Sequence, residues 1–309
     1  MIAEFWSGVS ERLAERTVAL LVSPALAFWS IGACWFFVFR RSRFDASLDR
    51  VVHFSPTTQV VALVVFLMVA LATEGLVKQL VPLALRMLQG FWPRPLAPLR
   101  SRLIRRQRAR LAELEDRWQH LYPRVVERSA GPDEEDELLA VEHLLAALSS
   151  RPGRILPTRL GNVLRAGETG VHDKYGLDPV HCWPALWLLL PEQTRNEVAG
   201  ARSALDTGTT WWLWALLLSV RSVASPWILL VAATGCVLAY LALLTSAARY
   251  AELVDATFVN HRGLLYDALG RPRPAAPQAE AALGRQLTTS IRRGPAEAAT
   301  LPGPPPPPP

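Results

Sequence analysis

WILLVAATGCVLAYLALLTSAA, Trp227–Ala248, carries no charged side chain from end to end. A hydrocarbon core about 30 Å thick is crossed by about 20 apolar residues in a helix, so this run has the length and composition of a membrane span. Three further stretches share its character: Thr17–Phe39, Gln59–Leu83 and Thr209–Val223. The first two also reach spanning length, while the third is short and is interrupted by Arg221. The four fall into two pairs around a long polar middle. That pattern predicts an all-α fold, a four-helix transmembrane bundle of two hairpins with a helical cytosolic domain inserted between helices two and three. The expected boundaries are 1–92 for the N-terminal hairpin, 93–206 for the cytosolic domain, 207–270 for the C-terminal hairpin with a cytosolic helix extension, and 271–309 for a disordered tail.

A chain of 309 residues has room for one such bundle and one modest soluble domain. Its apolar residues concentrate in the four stretches, which is a membrane distribution and not a globular one. The formal charge is +6 and almost wholly arginine, since Lys78 and Lys174 are the only lysines. Cys34, Cys182 and Cys236 are scattered and form no CxxC pair, which argues against a disulfide framework and a structural zinc. The first stretch exceeds the apolar core of a signal peptide and no small-x-small cleavage site follows it, so it reads as an uncleaved helix.

Flanking charge sets the orientation. Arg86, Arg94, Arg100, Arg102, Arg105, Arg106, Arg108 and Arg110 follow the second stretch with no acid before Glu113, and Arg249, Arg262, Arg271 and Arg273 follow the fourth. Arg40, Arg41, Arg43 and Arg50 stand against them, offset by Asp45 and Asp49. The larger group puts both termini and residues 93–206 in the cytoplasm of a plasma (inner) membrane protein. An amphipathic Phe5–Arg16 segment precedes the first helix, whose aromatic end (Trp29, Trp35, Phe36, Phe37, Phe39) suits a membrane–water boundary. The basic run Arg94–Arg110, which has no interleaved aromatics and adjoins a membrane helix, points to anionic lipid headgroups and not to nucleic acid.

Within the middle, Arg100–Arg128 repeats Leu103, Ile104, Leu111, Leu114, Trp118, Leu121 and Val125 at helical spacing. Asp133–Ser150 opens on acids, which suit a helix N-terminus, and then repeats Leu138, Leu139, Val141, Leu144, Leu145 and Leu148. The two helices expose oppositely charged starts, consistent with solvated faces and with an antiparallel or partner-facing arrangement, and a coiled coil is compatible with the spacing. No period-2 run predicts a strand. Arg271–Pro309 is rich in Pro, Ala and Gly and ends on Pro304–Pro309, a composition expected to be disordered, with polyproline II at its end.

The densest constellation is LPTRLGNVLRAGETGVHDKYGLDPVHCWPALW, Leu156–Trp187. Pro157 suits a first helical turn, Gly161 admits close approach of another backbone, and Asp178-Pro179 reads as N-cap and N1 of a second helix. That helix, Trp183–Leu190, is apolar but too short to span, so it either lies on the membrane surface or packs in the cytosolic core. The run from Leu156 to Ala166, with Glu168, Tyr175 to Asp178 and Trp183-Pro184, resembles a group of uncharacterised bacterial integral membrane proteins, mainly actinobacterial, with an LPTRLGN-type cytosolic motif. The resemblance returns from Tyr250 to Phe258 and at His261-Arg262, Leu264 to Tyr266, Leu269 and Pro272. Where its relatives tend to carry an acid before the His-Arg pair, this chain has Val259-Asn260. The resemblance implies membrane residence and carries no catalytic role.

His172, Asp173, Asp178, His181 and Cys182 are potential ligands or nucleophiles lying close together. Their spacing matches no zinc pattern, and helical neighbours such as His181 and Cys182 point about 100° apart. A structural reading is preferred, with no catalytic residue, metal or cofactor expected. In it Arg159, Asn162, Arg165, Glu168 and Asp178 form a polar network, extended by His261 and Arg262, beside a partner patch that includes Tyr175, Trp183 and Trp187. Within the second stretch, Glu74 and Lys78 are spaced as a helical ion pair near the inner interface, with Lys78 able to snorkel. Intramembrane ionisable groups are functional candidates by default. Three functions stay open. The first is a non-enzymatic scaffold whose cytosolic module binds an unknown protein partner or a second copy. The second is a small transporter or channel subunit using Glu74, Lys78 and Asp206, and the third is a membrane enzyme acting on lipid or envelope precursors through His172–Cys182.

Overall fold

The structure is a computed structural model that describes residues 24–25, 28–29, 32, 56–148, 152–223, 226–274 and 276–294. The Phe5–Arg16 segment, Cys34, the aromatic run Trp35–Phe39, the Arg40–Arg50 loop and the proline end of the tail lie outside the described residues. The described chain is helical, with no strand among those residues. Its helices are α1 (Pro56–Leu88), α2 (Ala97–Val126), α3 (Pro132–Ala146), α4 (Arg159–Tyr175), α5 (Pro179–Leu189), α6 (Glu192–Leu218), α7 (Trp227–Ala268) and α8 (Pro277–Arg293). Two of them are long and apolar enough to cross a membrane, in Val64–Leu88 of α1 and in α7. Only 17% of each apolar window is buried. A core helix of a water-soluble protein hides such a surface; here Val64, Phe66, Met68, Leu71, Leu230 and Leu238 stand exposed.

The chain divides into two compact units, 1–84 with 207–240, and 85–206 with 241–309. Residues of all four apolar stretches meet in the first. Ala25 packs with Val77, Val81 and Ala84 of α1 and with Leu213 and Trp214 of α6. Phe28 adds Leu218, Ile228 and Ala232 to that contact, and Trp29 donates through Nε1 to Thr73 Oγ1 at 3.4 Å. Arg221 lies in a 3-10 turn, Ser219–Val223. Its guanidinium stacks over Phe28 and Trp29, 4.8 and 5.6 Å from the ring centroids, a cation–π arrangement. The Glu74–Lys78 pair forms at 2.8 Å, with Glu74 mostly covered and the Lys78 side chain 64% exposed, as snorkelling requires.

In the second unit α2 and α3 make an antiparallel hairpin. Leu114, Leu121, Leu138 and Val141 fill its seam with Trp118 and Val125, Arg124 pairs with Glu134 at 2.5 Å, and Trp118 Nε1 donates to Glu142 at 3.2 Å. The acidic start of α3 therefore meets the end of α2 and not its basic start. Gly131 caps α3 by donating to Glu134, 3.2 Å away, in the capping-box manner. A separate core joins the end of α4, α5, the second half of α7 and α8 through Val171, Leu177, Cys182, Leu186, Phe258, Tyr266 and Leu287.

Three expectations need correction. Residues 277–293 are not a disordered tail: they form α8, whose Leu283, Leu287 and Ile291 recur every four residues and pack into that core. Residues 241–270 belong with the middle region and not with a separate C-terminal unit. Pro157 stands one residue before the N-cap Thr158, outside the first turn of α4.

Candidate functional site

The motif region builds itself around α4. Thr158 caps the helix by accepting from the Gly161 amide at 3.1 Å. Asn162 is fully buried; its Oδ1 accepts from Leu156 N at 2.7 Å and its Nδ2 donates to Leu156 O at 3.0 Å. One amide side chain thus satisfies both backbone groups of a buried loop residue, which otherwise would lack partners. A Cβ on Gly161 would lie 2.1 Å from the Gln89 carbonyl oxygen, so only glycine lets the backbone after α1 pass. Further along, Arg165 Nη1 donates to Glu168 Oε2 at 3.0 Å. Burial pushes the Glu168 carboxyl up, with Arg165 pulling it down, Asp178 pushing it up and Arg154 pulling it down. Arg159 stands exposed on the first turn.

Helix α4 ends at Gly176 in the left-handed region, φ 68°, the usual C-cap geometry. Asp178 then caps α5 through Oδ1, 3.0 Å from Val180 N, and holds His181 Nδ1 through Oδ2 at 2.9 Å. The Asp178 amide donates to Thr288 Oγ1 of α8 at 3.1 Å. Cys182 is fully buried. Burial pushes its thiol up to about 11, against the Thr288 hydrogen bond, so at neutral pH it is a protonated core group and not a nucleophile. His172 buries Nδ1 without a hydrogen-bond partner, and no group of His, Cys, Asp and Glu among the described residues is placed to hold a metal.

His261 and Arg262 of α7 go separate ways. His261 Nε2 lies 3.5 Å from Thr194 Oγ1 of α6. Arg262 stacks over Tyr175, 4.3 Å from the ring centroid, and pairs through Nε with Glu280 of α8 at 2.5 Å. The expected network is thus split: Arg165–Glu168 lies beside the Asn162 clasp, Asp178 holds His181 at the start of α5, and Arg262 joins Tyr175 and Glu280, with Arg159 and His261 outside these clusters. Trp183 and Trp187 are half-buried, with centroids 5.7 Å apart, and Trp183 also meets Phe258 at 6.0 Å. Helix α5 is therefore divided: Cys182, Leu186 and Leu190 enter the core, while Val180 (60% exposed), Pro184 and Leu188 (78% exposed) form an outward stripe every four residues.

A concavity lies between α4, α5, α6 and α7. A cavity of about 270 Å³ sets Arg165, Glu168, Arg202 and Tyr250 against Trp183 and Val254. A neighbouring cavity of about 680 Å³ shares Trp183, Pro184, Arg202 and Tyr250 and is otherwise walled mainly by apolar side chains such as Trp187, Leu188 and Val198. Arg202 donates through Nη2 to Asp206 at 3.3 Å. Sequence reasoning placed neither Arg202, Glu280 nor Thr288 at a site. Arg202 and Tyr250 converge from distant segments, and the one available signal was that each stands next to the polar end of an apolar run. Comparison with family models, curated proteins and solved structures returned no match.

Proposed function

We propose that the chain is a multi-pass plasma (inner) membrane protein whose four apolar segments form a two-hairpin bundle, with both termini and residues 93–206 cytoplasmic. Its role is that of a non-enzymatic scaffold, presenting the α2–α3 hairpin to a protein partner or to a second copy of itself. Kinship with the bacterial LPTRLGN-motif membrane proteins is part of the same proposal. The bundle reading is supported by the meeting of Ala25, Phe28, Val77, Trp214 and Ile228. The observation that carries the scaffold reading is the hairpin itself. It closes on its own seam, yet leaves Tyr122, Val126 and Leu139 exposed, Leu139 by 64%. Tyr122 and Val126, four residues apart on α2, and Leu139 on α3 offer the apolar surface that a partner contact needs. The buried, protonated Cys182 argues against thiol chemistry in the same region. A photo-crosslinking residue at Leu139, activated in native membranes, is expected to give a discrete adduct that Val126→Asp abolishes. Absence of any adduct at Leu139 and at Tyr122 would overturn the scaffold reading.

A further inference from the structure

Besides α4 and α5, the double cleft takes part of its wall from residues just beyond three apolar runs. Gln89 and Phe91 follow α1, whose membrane-capable stretch closes at Leu88; Arg202 precedes Thr209, where the third stretch opens; Tyr250 follows Ala248, where the fourth closes. No wall residue of this set is more than about two helical turns, roughly 10 Å, from its run. If those runs cross a bilayer, as proposed above, the cleft opens at headgroup depth, where Arg and aromatic residues concentrate.

The two chambers differ in chemistry. The smaller gathers two guanidinium groups, a carboxyl and a phenol, while the larger continues along Trp187, Leu188 and Val198, with Ser203 and the Arg202-paired Asp206 also on its wall. Arg202 and Tyr250 stand on the shared wall. Glu168 engages Arg165 through Nη1, and Asp206 engages Arg202 through Nη2. A guanidinium has five N–H donors in a fork that suits phosphate, so each retains donors beyond the one its acid takes. Val180, Pro184 and Leu188 of α5 run along both openings as an exposed apolar rail.

We propose that this double cleft binds a phosphate-bearing membrane lipid. The phosphate sits between Arg165 and Arg202 with the Tyr250 hydroxyl donating, and an acyl chain lies along Trp183, Pro184 and Leu188 in the larger chamber. An anionic head and an apolar tail are the two ends that these chambers accept, and a soluble anion would leave the larger one to water. The site is distinct from the basic run of α2, whose arginines line neither cavity.

The test uses the full chain purified in non-ionic detergent, with lipid retention read by native mass spectrometry and by thermal shift on adding phosphatidylglycerol or inorganic phosphate. Wild type is expected to retain phosphatidylglycerol at least tenfold more tightly than Arg165→Gln/Arg202→Gln, whereas Arg117→Gln/Arg285→Gln, at exposed arginines outside the basic run that line neither cavity, matches wild type. Leu188→Asp, at a position too exposed to disturb folding, is expected to lose at least tenfold in lipid retention with an unchanged melting temperature. Equal retention by wild type and these cleft variants overturns the proposal, as does a thermal shift from inorganic phosphate alone equal to that from the lipid. Alkaline carbonate extraction of the same membranes separates the two readings. Extraction of wild type into the supernatant sinks the membrane reading, whereas retention in the pellet with cleft-independent lipid binding sinks the cleft alone.

Discussion

Replacing Gly284 by alanine attacks the crossing that holds α8 in the second unit. A Cβ there would lie 1.9 Å from the Tyr175 carbonyl oxygen, 3.0 Å from its carbon and 3.2 Å from the Gly176 carbonyl carbon. All three are backbone atoms at the end of α4, held by the hydrogen bond that the Gly176 amide donates to His172 O at 2.9 Å. No side chain can swing away, so α8 must retreat by at least about 1 Å to reach the 3.0 Å that real Cβ contacts respect. Overpacking of this kind costs about 1–3 kcal/mol and sometimes more. The retreat also loosens Leu287, which is 3% exposed, and burial of one such side chain is worth about 2–5 kcal/mol by truncation. The expected loss is therefore about 3 kcal/mol or more, roughly 6–12 °C in melting temperature for a unit of this size. Circular dichroism or dye-based melting in detergent reads it, and limited trypsinolysis is expected to cut faster at Arg285, Arg292 and Arg293. Gly200→Ala is the control, because nothing lies within 4 Å of its added Cβ and a helical Gly→Ala change stabilises by about 0.5–1 kcal/mol. If Gly284→Ala melts with wild type and resists trypsin equally, the docking of α8 described here is wrong.

Other perturbations follow from the same contacts. Asn162→Ala leaves the buried Leu156 N–H and C=O without the partners they have at 2.7 and 3.0 Å, at about 1–3 kcal/mol for each group; melting within about 2 °C of wild type, with no faster amide exchange at Leu156, would contradict that role. Cys182 gives a pH signature. Below pH 9 the folded and unfolded thiols are both protonated, and between pH 9 and about 11 only the unfolded one ionises, so stability falls as pH rises by about 2–3 kcal/mol in total. The stability difference between wild type and Cys182→Ala, followed from pH 8 to 11, is expected to shrink accordingly; a constant difference refutes the assignment.

Some of this architecture is legible in the residues. Uncharged runs such as Trp227–Ala248 announce membrane-capable helices because their length and apolarity match a hydrocarbon core. The hairpin is readable because Leu111, Leu114, Leu121 and Val141 keep helical spacing in a polar background, and Asp178 and Gly161 declare themselves through cap chemistry and backbone approach. Helix α8 is hidden because Pro, Ala and Gly averaged over 271–309 drown a real signal, Leu283, Leu287 and Ile291 at intervals of four. Helix α6 begins at Glu192, well before its apolar part, since nothing local stops a helix where polarity changes. The cleft was readable only in part: Arg165 belonged to the expected polar network and Tyr250 to the motif resemblance, but tertiary packing alone brings Arg202 to them.

The most direct test of the membrane account is single-cysteine labelling in a background lacking Cys34, Cys182 and Cys236. Ser129→Cys, Ser222→Cys and Arg271→Cys are exposed in turn to a membrane-impermeant maleimide on intact cells. The account predicts labelling of Ser222→Cys alone, with Ser129→Cys and Arg271→Cys reacting only after permeabilisation. Labelling of Ser129→Cys on intact cells, or protection of Ser222→Cys until the membrane is opened, would contradict it.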